Sequence, residues 1–232
     1  MSAINSGTLQ WAVELPARGA TPIGRRRPQG ILVVREAEGE ERKALPLAVA
    51  RSLAGKKNRG EVSANTRAEL TRVVGELCQS SAKTRIERLI DRREYASDEI
   101  RKKLRQDGYP EHVIEPAVMR ACEVGLVSDQ RFAENFIRSK LYAGWGEVRI
   151  KRELAQRGID VDELPGWPYE YFDPEDEATR AYELARRHLR PGKNAYQRLV
   201  RYLCGRGFAL SVATQASSRV LNEEAEEATS DF

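Results

Sequence analysis

Cysteine, histidine and methionine are nearly missing from this chain of 232 residues, which holds three, two and two of them, and aromatic residues make up only 7%. Cys78, Cys122 and Cys204 lie far apart, with neither the paired spacing of a zinc site nor the density of a disulfide framework. They read as small buried hydrophobes, and no metal site is expected. His112 and His188 fall on different predicted helices with no cysteine or serine motif beside either, so a nucleophile and base pair has no candidate. Long apolar runs are missing too. No stretch approaches the roughly eighteen residues of a membrane-crossing helix, and the amino terminus has no signal-like apolar core. A cytoplasmic chain with no membrane partner is expected.

Two glycine-containing stretches invite comparison with nucleotide loops and fail it. Gly55-Lys-Lys-Asn-Arg-Gly60 is followed by Glu61-Val62, where a phosphate loop needs Lys-Ser/Thr between a strand and a helix. Gly144-Trp145-Gly146 follows a predicted helix, and turn geometry accounts for it. Carboxylates are plentiful, but they alternate with Lys and Arg at the spacings of solvated helix faces. The residues give no catalytic constellation and no cofactor site.

Charge is abundant: 32% of residues are charged and the net charge is only +4. Its distribution is uneven. Residues 178 to 210 carry eight Lys/Arg against the single acid Glu183, and the last eleven residues carry five acids and no base. The short run Gly24-Arg25-Arg26-Arg27-Pro28 sits among turn formers and reads as a solvated linker that could touch phosphates.

The most informative feature is a repeat. Ile100-Arg-Lys-Lys-Leu104-Arg-Gln-Asp-Gly108-Tyr109, Ile150-Lys-Arg-Glu-Leu154-Ala-Gln-Arg-Gly158-Ile159 and Leu199-Val-Arg-Tyr-Leu203-Cys-Gly-Arg-Gly207-Phe208 share one grammar, with the glycines 50 and 49 residues apart. An aliphatic residue four positions before a Leu marks one helical face. A Gly four residues later can close the helix in the left-handed conformation, and the large apolar residue after it can pack back on the last turn. Three copies at near-constant period argue for tandem helical modules that bury their faces against neighbours.

At these residues the chain resembles the RecX family, regulators of the RecA recombinase. Arg92-Arg93-Glu94-Tyr95-Ala96-Ser97 with the Glu-Ile-x-x-Lys-Leu that follows is similar to the family's first repeat. Gly125-Leu126-Val127-Ser128-Asp129-x-x-Phe132-Ala133 and Gly144-Trp145-Gly146-x-x-Arg149-Ile150-x-x-Glu153-Leu154-x-x-x-Gly158-Ile159 resemble its second, and Leu203-x-x-Arg206-Gly207-Phe208 its third. The resemblance covers roughly residues 80 to 221. It implies a non-catalytic modulator that lies along the RecA filament and damps its ATPase, strand-exchange and coprotease activities, without a cofactor. A helical nucleic-acid-binding protein that needs no RecA is the alternative.

The predicted fold is mainly α: three tandem three-helix repeats in an elongated array behind a small N-terminal segment with a few β-strands. Residues 1–62 are that segment and a linker, with Leu9–Leu15, Ile31–Val34 and Lys43–Leu47 forming an antiparallel sheet that turns at Glu38-Gly39-Glu40-Glu41 and is closed by a helix over 46–53. Residues 63–125 hold the first repeat with a lead-in helix, its own helices lying near 82–93, 97–107 and 111–123 with Ser97 as an N-cap. Residues 126–175 hold the second, whose third element must be broken because Pro165, Gly166, Pro168 and Pro174 cannot sustain a helix. Residues 176–221 hold the third, and 222–232 read as a disordered acidic tail. Trp167, Tyr169, Tyr171 and Phe172 are expected either to pack between repeats or to form an exposed platform. A monomer is expected.

The candidate binding residues come from superposing the copies. Two positions beyond Ile100, Ile150 and Leu199 stand Lys102, Arg152 and Arg201, about 200° around the helix from the apolar face. With Arg101, Arg105, Arg149, Lys151, Arg198 and Arg206 they make the second helices basic stripes suited to an acidic filament surface or to single- or double-stranded DNA. Exposed helix positions are also often Lys or Arg for solubility alone.

Overall fold

A computed structural model of the chain describes residues 9–230 apart from 18, 20–23, 25, 26, 37 and 38, with side chains described up to residue 227. Arg25 and Arg26 of the triple-arginine run, and Glu38 of the predicted turn, lie outside the described residues. The chain divides into two compact units, residues 1–128 and 129–232.

In the first unit, β1 (Gln10–Glu14), β2 (Gln29–Glu36) and β3 (Gly39–Pro46) form an antiparallel sheet in that order. The aliphatic run Ile31-Leu32-Val33-Val34 is its centre, with Trp11 opposite Val34 and Leu32 opposite Val13 and Lys43. α1 (Leu47–Asn58) leaves β3 directly. A three-stranded sheet with one short helix cannot bury its own apolar face. Trp11, Leu32, Val34, Leu45 and Leu53 therefore share one core with Leu70, Ile86, Ile100, Leu104 and Ile114 of the following helices. The N-terminal segment is thus built into the first repeat, and the stretch 55–60, expected to be a loop at a domain boundary, is instead the end of α1 through Asn58 followed by a turn at Arg59-Gly60 inside the unit.

α2 (Arg67–Ile90) is one continuous helix of 24 residues, where a separate lead-in helix was expected. Nothing between Leu77 and Ile86 breaks it, and Leu70, Val74, Cys78, Ala82, Ile86 and Leu89 keep a single buried stripe running through it. It starts with a capping box: the Thr66 hydroxyl accepts from the Glu69 N–H, and the Glu69 carboxylate accepts from the Thr66 N–H. α3 (Ser97–Asp107) and α4 (Glu111–Glu123) complete the unit. Ala96, rather than Ser97, is the residue before α3, and Glu99 reaches back to its N–H. Ser97 accepts from the Arg101 guanidinium instead.

The second unit comprises α5 (Asp129–Tyr142), α6 (Glu147–Ala155), a 3₁₀ turn at Val161–Glu163, α7 (Pro174–His188), α8 (Ala195–Arg206) and α9 (Leu210–Ser230). The proline-rich stretch forms only turns, and α7 restarts with Pro174 in its first turn behind an Asp173 side chain that accepts from the Glu175 N–H. Phe172 is buried with Trp167 edge-on to it at 5.2 Å, so these two rings pack inward, whereas Tyr169 is 87% exposed. Ala181, Ala185, Leu199, Leu203, Phe208, Ala216 and Val220 form the core of the third repeat. α9 stays helical through Ser230, nine residues past Leu221, the expected end of the ordered part. Glu223 accepts from both the Tyr182 hydroxyl and Arg219, which ties that extension to α7. Cys78 is buried, but Cys122 and Cys204 are exposed, contrary to expectation.

Candidate interaction surface

The three repeated second helices are α3, α6 and α8. In each, the aliphatic residue and the Leu four positions on are almost fully buried: Ile100 and Leu104, Ile150 and Leu154, Leu199 and Leu203. In each, the stop is the same. Gly108, Gly158 and Gly207 have φ of 90°, 77° and 96°. The N–H of the next residue, Tyr109, Ile159 or Phe208, donates to the carbonyl of that Leu at 3.1, 3.1 and 3.2 Å. This is the hydrogen-bond pattern of a Schellman ending, and the apolar residue that follows the glycine is buried each time.

On the opposite side stand the predicted cations, and the structure sorts them. Lys102, Arg152 and Arg201 are exposed. Lys102 pairs with Asp98 one turn back at 2.7 Å. Arg101 and Arg105 are turned onto their own repeat, pairing with Glu115 at 3.1 Å and Glu111 at 2.6 Å, and Lys151 pairs with Asp162 at 2.9 Å. Arg198 donates to the carbonyls of Lys193 and Arg190, closing the turn before α8. Arg149 and Arg206 belong to a joint between the second and third repeats and are only partly exposed. Of the nine cations expected from the sequence, Lys102, Arg105, Lys151, Arg152, Arg198 and Arg201 are exposed. Arg105 and Lys151 pair with acids of neighbouring elements and Arg198 with loop carbonyls, Lys102 pairs within its own helix, and Arg152 and Arg201 have no ion pair among the described residues.

That joint was not visible in the sequence. The start of α6 meets the end of α8: the Gly146 N–H donates to the Arg206 carbonyl and the Val148 N–H to the Gly207 carbonyl, both at 3.1 Å. The Glu147 N–H donates to the Glu177 carboxylate at 3.2 Å. Orphan N–H groups of one helix are thus satisfied by orphan carbonyls of another and by a buried acid, an arrangement the two helix dipoles also favour. A Cβ on Gly146 would lie 2.3 Å from the Gly207 carbonyl oxygen, and one on Gly207 would lie 2.2 Å from the Arg149 Cβ. The Arg149 guanidinium stacks on Trp145 at 3.7 Å, and Arg180 donates to the Trp145 carbonyl. The Gly144-Trp145-Gly146 stretch is thus a turn, as expected, and also a docking surface. One signal was available: Glu177 falls in line with Ala181 and Ala185 at four-residue spacing, an acid on an apolar face.

Burial, followed by the neighbouring Glu177 charge, raises the Glu147 pKa above 4.5, with Lys151 opposing. A raised folded-state value favours the neutral carboxyl, so its contribution is complete below the unfolded pKa and is lost as pH rises through the folded one. Glu147→Gln should therefore match the parent in urea denaturation at about pH 4 and be more stable than it at about pH 7. Equal midpoints at both pH values would remove the proposed crowding of the two acids.

Among the described residues, no group of three or more His, Cys, Asp and Glu is placed to hold a metal ion, and no helix is long and apolar enough to cross a membrane.

Comparison with known proteins gives a consistent result. The family profile described as the first three-helix domain of RecX matches residues 82–120, and that of the second three-helix domain matches residues 128–163. The chain is 33% identical over 137 residues to regulatory protein RecX of Legionella pneumophila (strain Corby), covering 57% of this chain and 90% of the relative. It is 38% identical over 128 residues to that of Pseudomonas putida (strain W619), covering 53% and 81%. It is 47% identical over 76 residues to that of Pseudomonas entomophila (strain L48), covering 33% of this chain and 49%, about half, of the relative. Its fold is similar to the crystal structure of a regulatory protein RecX, with a TM-score of 0.57 at 19% identity over 81% of this chain and 94% of the other. A second similar fold is that of RecX from Lactobacillus salivarius, with a TM-score of 0.53 at 19% identity over 62% and 96%.

Proposed function

Because the chain belongs to the RecX family of regulatory proteins, we propose that it is a non-enzymatic regulator that binds the filament of the RecA recombinase and inhibits its ATPase, strand-exchange and coprotease activities during DNA repair, recombination and the SOS response. The supporting observation is the threefold second helix, buried through an aliphatic residue and a Leu four positions on, with Lys102, Arg152 and Arg201 exposed. Tandem modules carrying similar cations offer weak contacts that gain strength together when the partner is itself a repeating polymer. Cations on an open surface suit an acidic protein face or a nearby phosphate backbone.

The deciding experiment is RecA ATP hydrolysis on single-stranded DNA, titrated with this protein. Hydrolysis should fall as the protein is added, and should recover when salt is raised, because the contacts are exposed charges. Unchanged hydrolysis at saturating protein would refute the reading. Salt-sensitive binding to bare DNA with hydrolysis unaffected would instead favour a RecA-independent nucleic-acid-binding protein.

A further inference from the structure

The N-terminal unit contains a cationic cleft of about 570 Å³ that the regulatory reading does not use. One wall is α1, through Arg51 and Ser52, and the facing wall is the middle of α2. There Leu77, Ser80, Ser81, Thr84, Arg85 and Arg88 recur at spacings of three and one, so they occupy one face over three turns. Arg27, just before β2, and Asp107, at the end of α3, also line it. Two helices that face one another normally do so through apolar side chains. α1 and α2 do meet in this way, through Val49, Ala50 and Leu53 against Val74, Cys78 and Ala82, but beside that contact the cleft adds four guanidinium groups and the hydroxyls of Ser52, Ser80, Ser81 and Thr84 to its lining.

The ion pairing singles out two of these arginines. Pairing to a carboxylate is the habit of this unit: Arg35 with Glu40, Arg42 with Glu14, Arg67 with Glu41, Arg72 with Glu76, Arg105 with Glu111. Inside the cleft, Arg85 and Arg27 both bind the one carboxylate, Asp107, at 2.6 and 3.1 Å. Each oxygen of Asp107 thus already faces one guanidinium group. Arg51 and Arg88 face the cleft from opposite helices, and among the described residues neither has an ion-pair partner. Four arginines against one carboxylate in a concave site focus positive potential on its interior.

From this geometry we propose that the cleft between α1 and α2 is a phosphate-binding site, with Arg51 and Arg88 as the principal cations and Ser52 and Thr84 as hydroxyl donors. Guanidinium groups bind phosphate oxygens in bidentate fashion, and hydroxyls complete the shell. The volume lies in the range of small-molecule sites. The ring that lines the cleft, Tyr109, is buried and hydrogen-bonded to Ser81 at 2.7 Å, so no aromatic platform is offered for a base. The site reads phosphate charge and not base identity. The phosphate can be carried by a free polyphosphate or nucleotide, or by the backbone of a nucleic-acid strand.

The test uses the full chain at about 0.05 M salt, where exposed charges act over long distances. Pyrophosphate and ATP are titrated calorimetrically, and a fluorescent oligothymidylate by anisotropy. R51Q/R88Q is compared with R72Q/R120Q, which removes the same charge from outside the cleft; all four residues are exposed, so folding should survive, as unchanged melting would verify. R51Q/R88Q should weaken at least one of the three ligands tenfold or more, with R72Q/R120Q changing it less than twofold. Loss confined to pyrophosphate and ATP identifies a free phosphate ligand. Loss confined to the oligonucleotide, with pyrophosphate failing to compete, identifies a strand. Equal losses in the two variants, or no binding of any ligand by the parent, overturn the site.

Discussion

Gly146→Ala should destabilise the second unit by roughly 3 kcal/mol, an unusually large effect for adding one methyl group. The backbone at Gly146 has φ −87° and ψ 164°, which alanine adopts freely, so no conformational strain is involved. Stiffening the unfolded chain would by itself favour alanine by about 0.4–1 kcal/mol. Against that, the new Cβ would sit 2.3–2.5 Å from the backbone of Gly207 and Phe208, atoms that cannot rotate away. The ends of α6 and α8 must separate. Overpacking of this kind costs about 1–3 kcal/mol. The two hydrogen bonds from Gly146 and Val148 go with it, at about 1 kcal/mol each, and more if their carbonyls stay buried. Gly75→Ala is the control with the opposite sign. Gly75 lies inside α2, and an added Cβ there would meet nothing within 4 Å, so alanine should stabilise by about 0.5–1 kcal/mol. Urea denaturation followed by circular dichroism separates the cases. Similar small shifts for both substitutions would mean that the α6–α8 contact is not held as described.

The contrast between these two glycines shows what a one-dimensional reading can reach. Gly108, Gly158 and Gly207 were legible because their role is local: a helix face, a stop, and an apolar residue that folds back, all within ten residues. The same locality made β2 readable from its aliphatic centre at 31–34 and the irregular stretch from its prolines. Gly146 was not legible, since its constraint is a backbone segment sixty residues away, and sequence spacing carries no record of such an approach. The division of the chain was hidden for a related reason. Linker-like composition at 55–60 describes a helix end and the turn after it equally well, and only the shared core of Trp11, Leu45 and Ile100 shows which side of it belongs together. Cationic residues were the least legible of all. Arg101, Arg105 and Lys151 look like Lys102, Arg152 and Arg201 in sequence, yet the first three are spent on carboxylates that tertiary structure brings near.

The sorting of those cations sets the second large effect. Replacing Lys102, Arg152 and Arg201 together by Glu should leave melting nearly unchanged. All three are exposed, and surface substitutions usually cost under about 0.5 kcal/mol each. At Lys102 the ion pair with Asp98 becomes a like-charge pair at one-turn spacing, which costs a few tenths of a kcal/mol. On a partner surface the balance differs, because each reversal removes an attraction and adds a repulsion. At about 0.5–1 kcal/mol per exposed contact, three sites acting together lose roughly 1.5–3 kcal/mol, so the concentration needed for half-inhibition of RecA ATP hydrolysis should rise about tenfold to about 150-fold. The rise should be greatest at low salt and should shrink as the Debye length falls below the distance between the charges. Reversing Arg101, Arg105 and Lys151 to Glu is the informative comparison. It breaks local pairs with Glu115, Glu111 and Asp162 and should therefore lower melting more than the first triple variant. A first triple variant that melts like the parent and inhibits like it at low salt would reduce the outward cations to a solvated face.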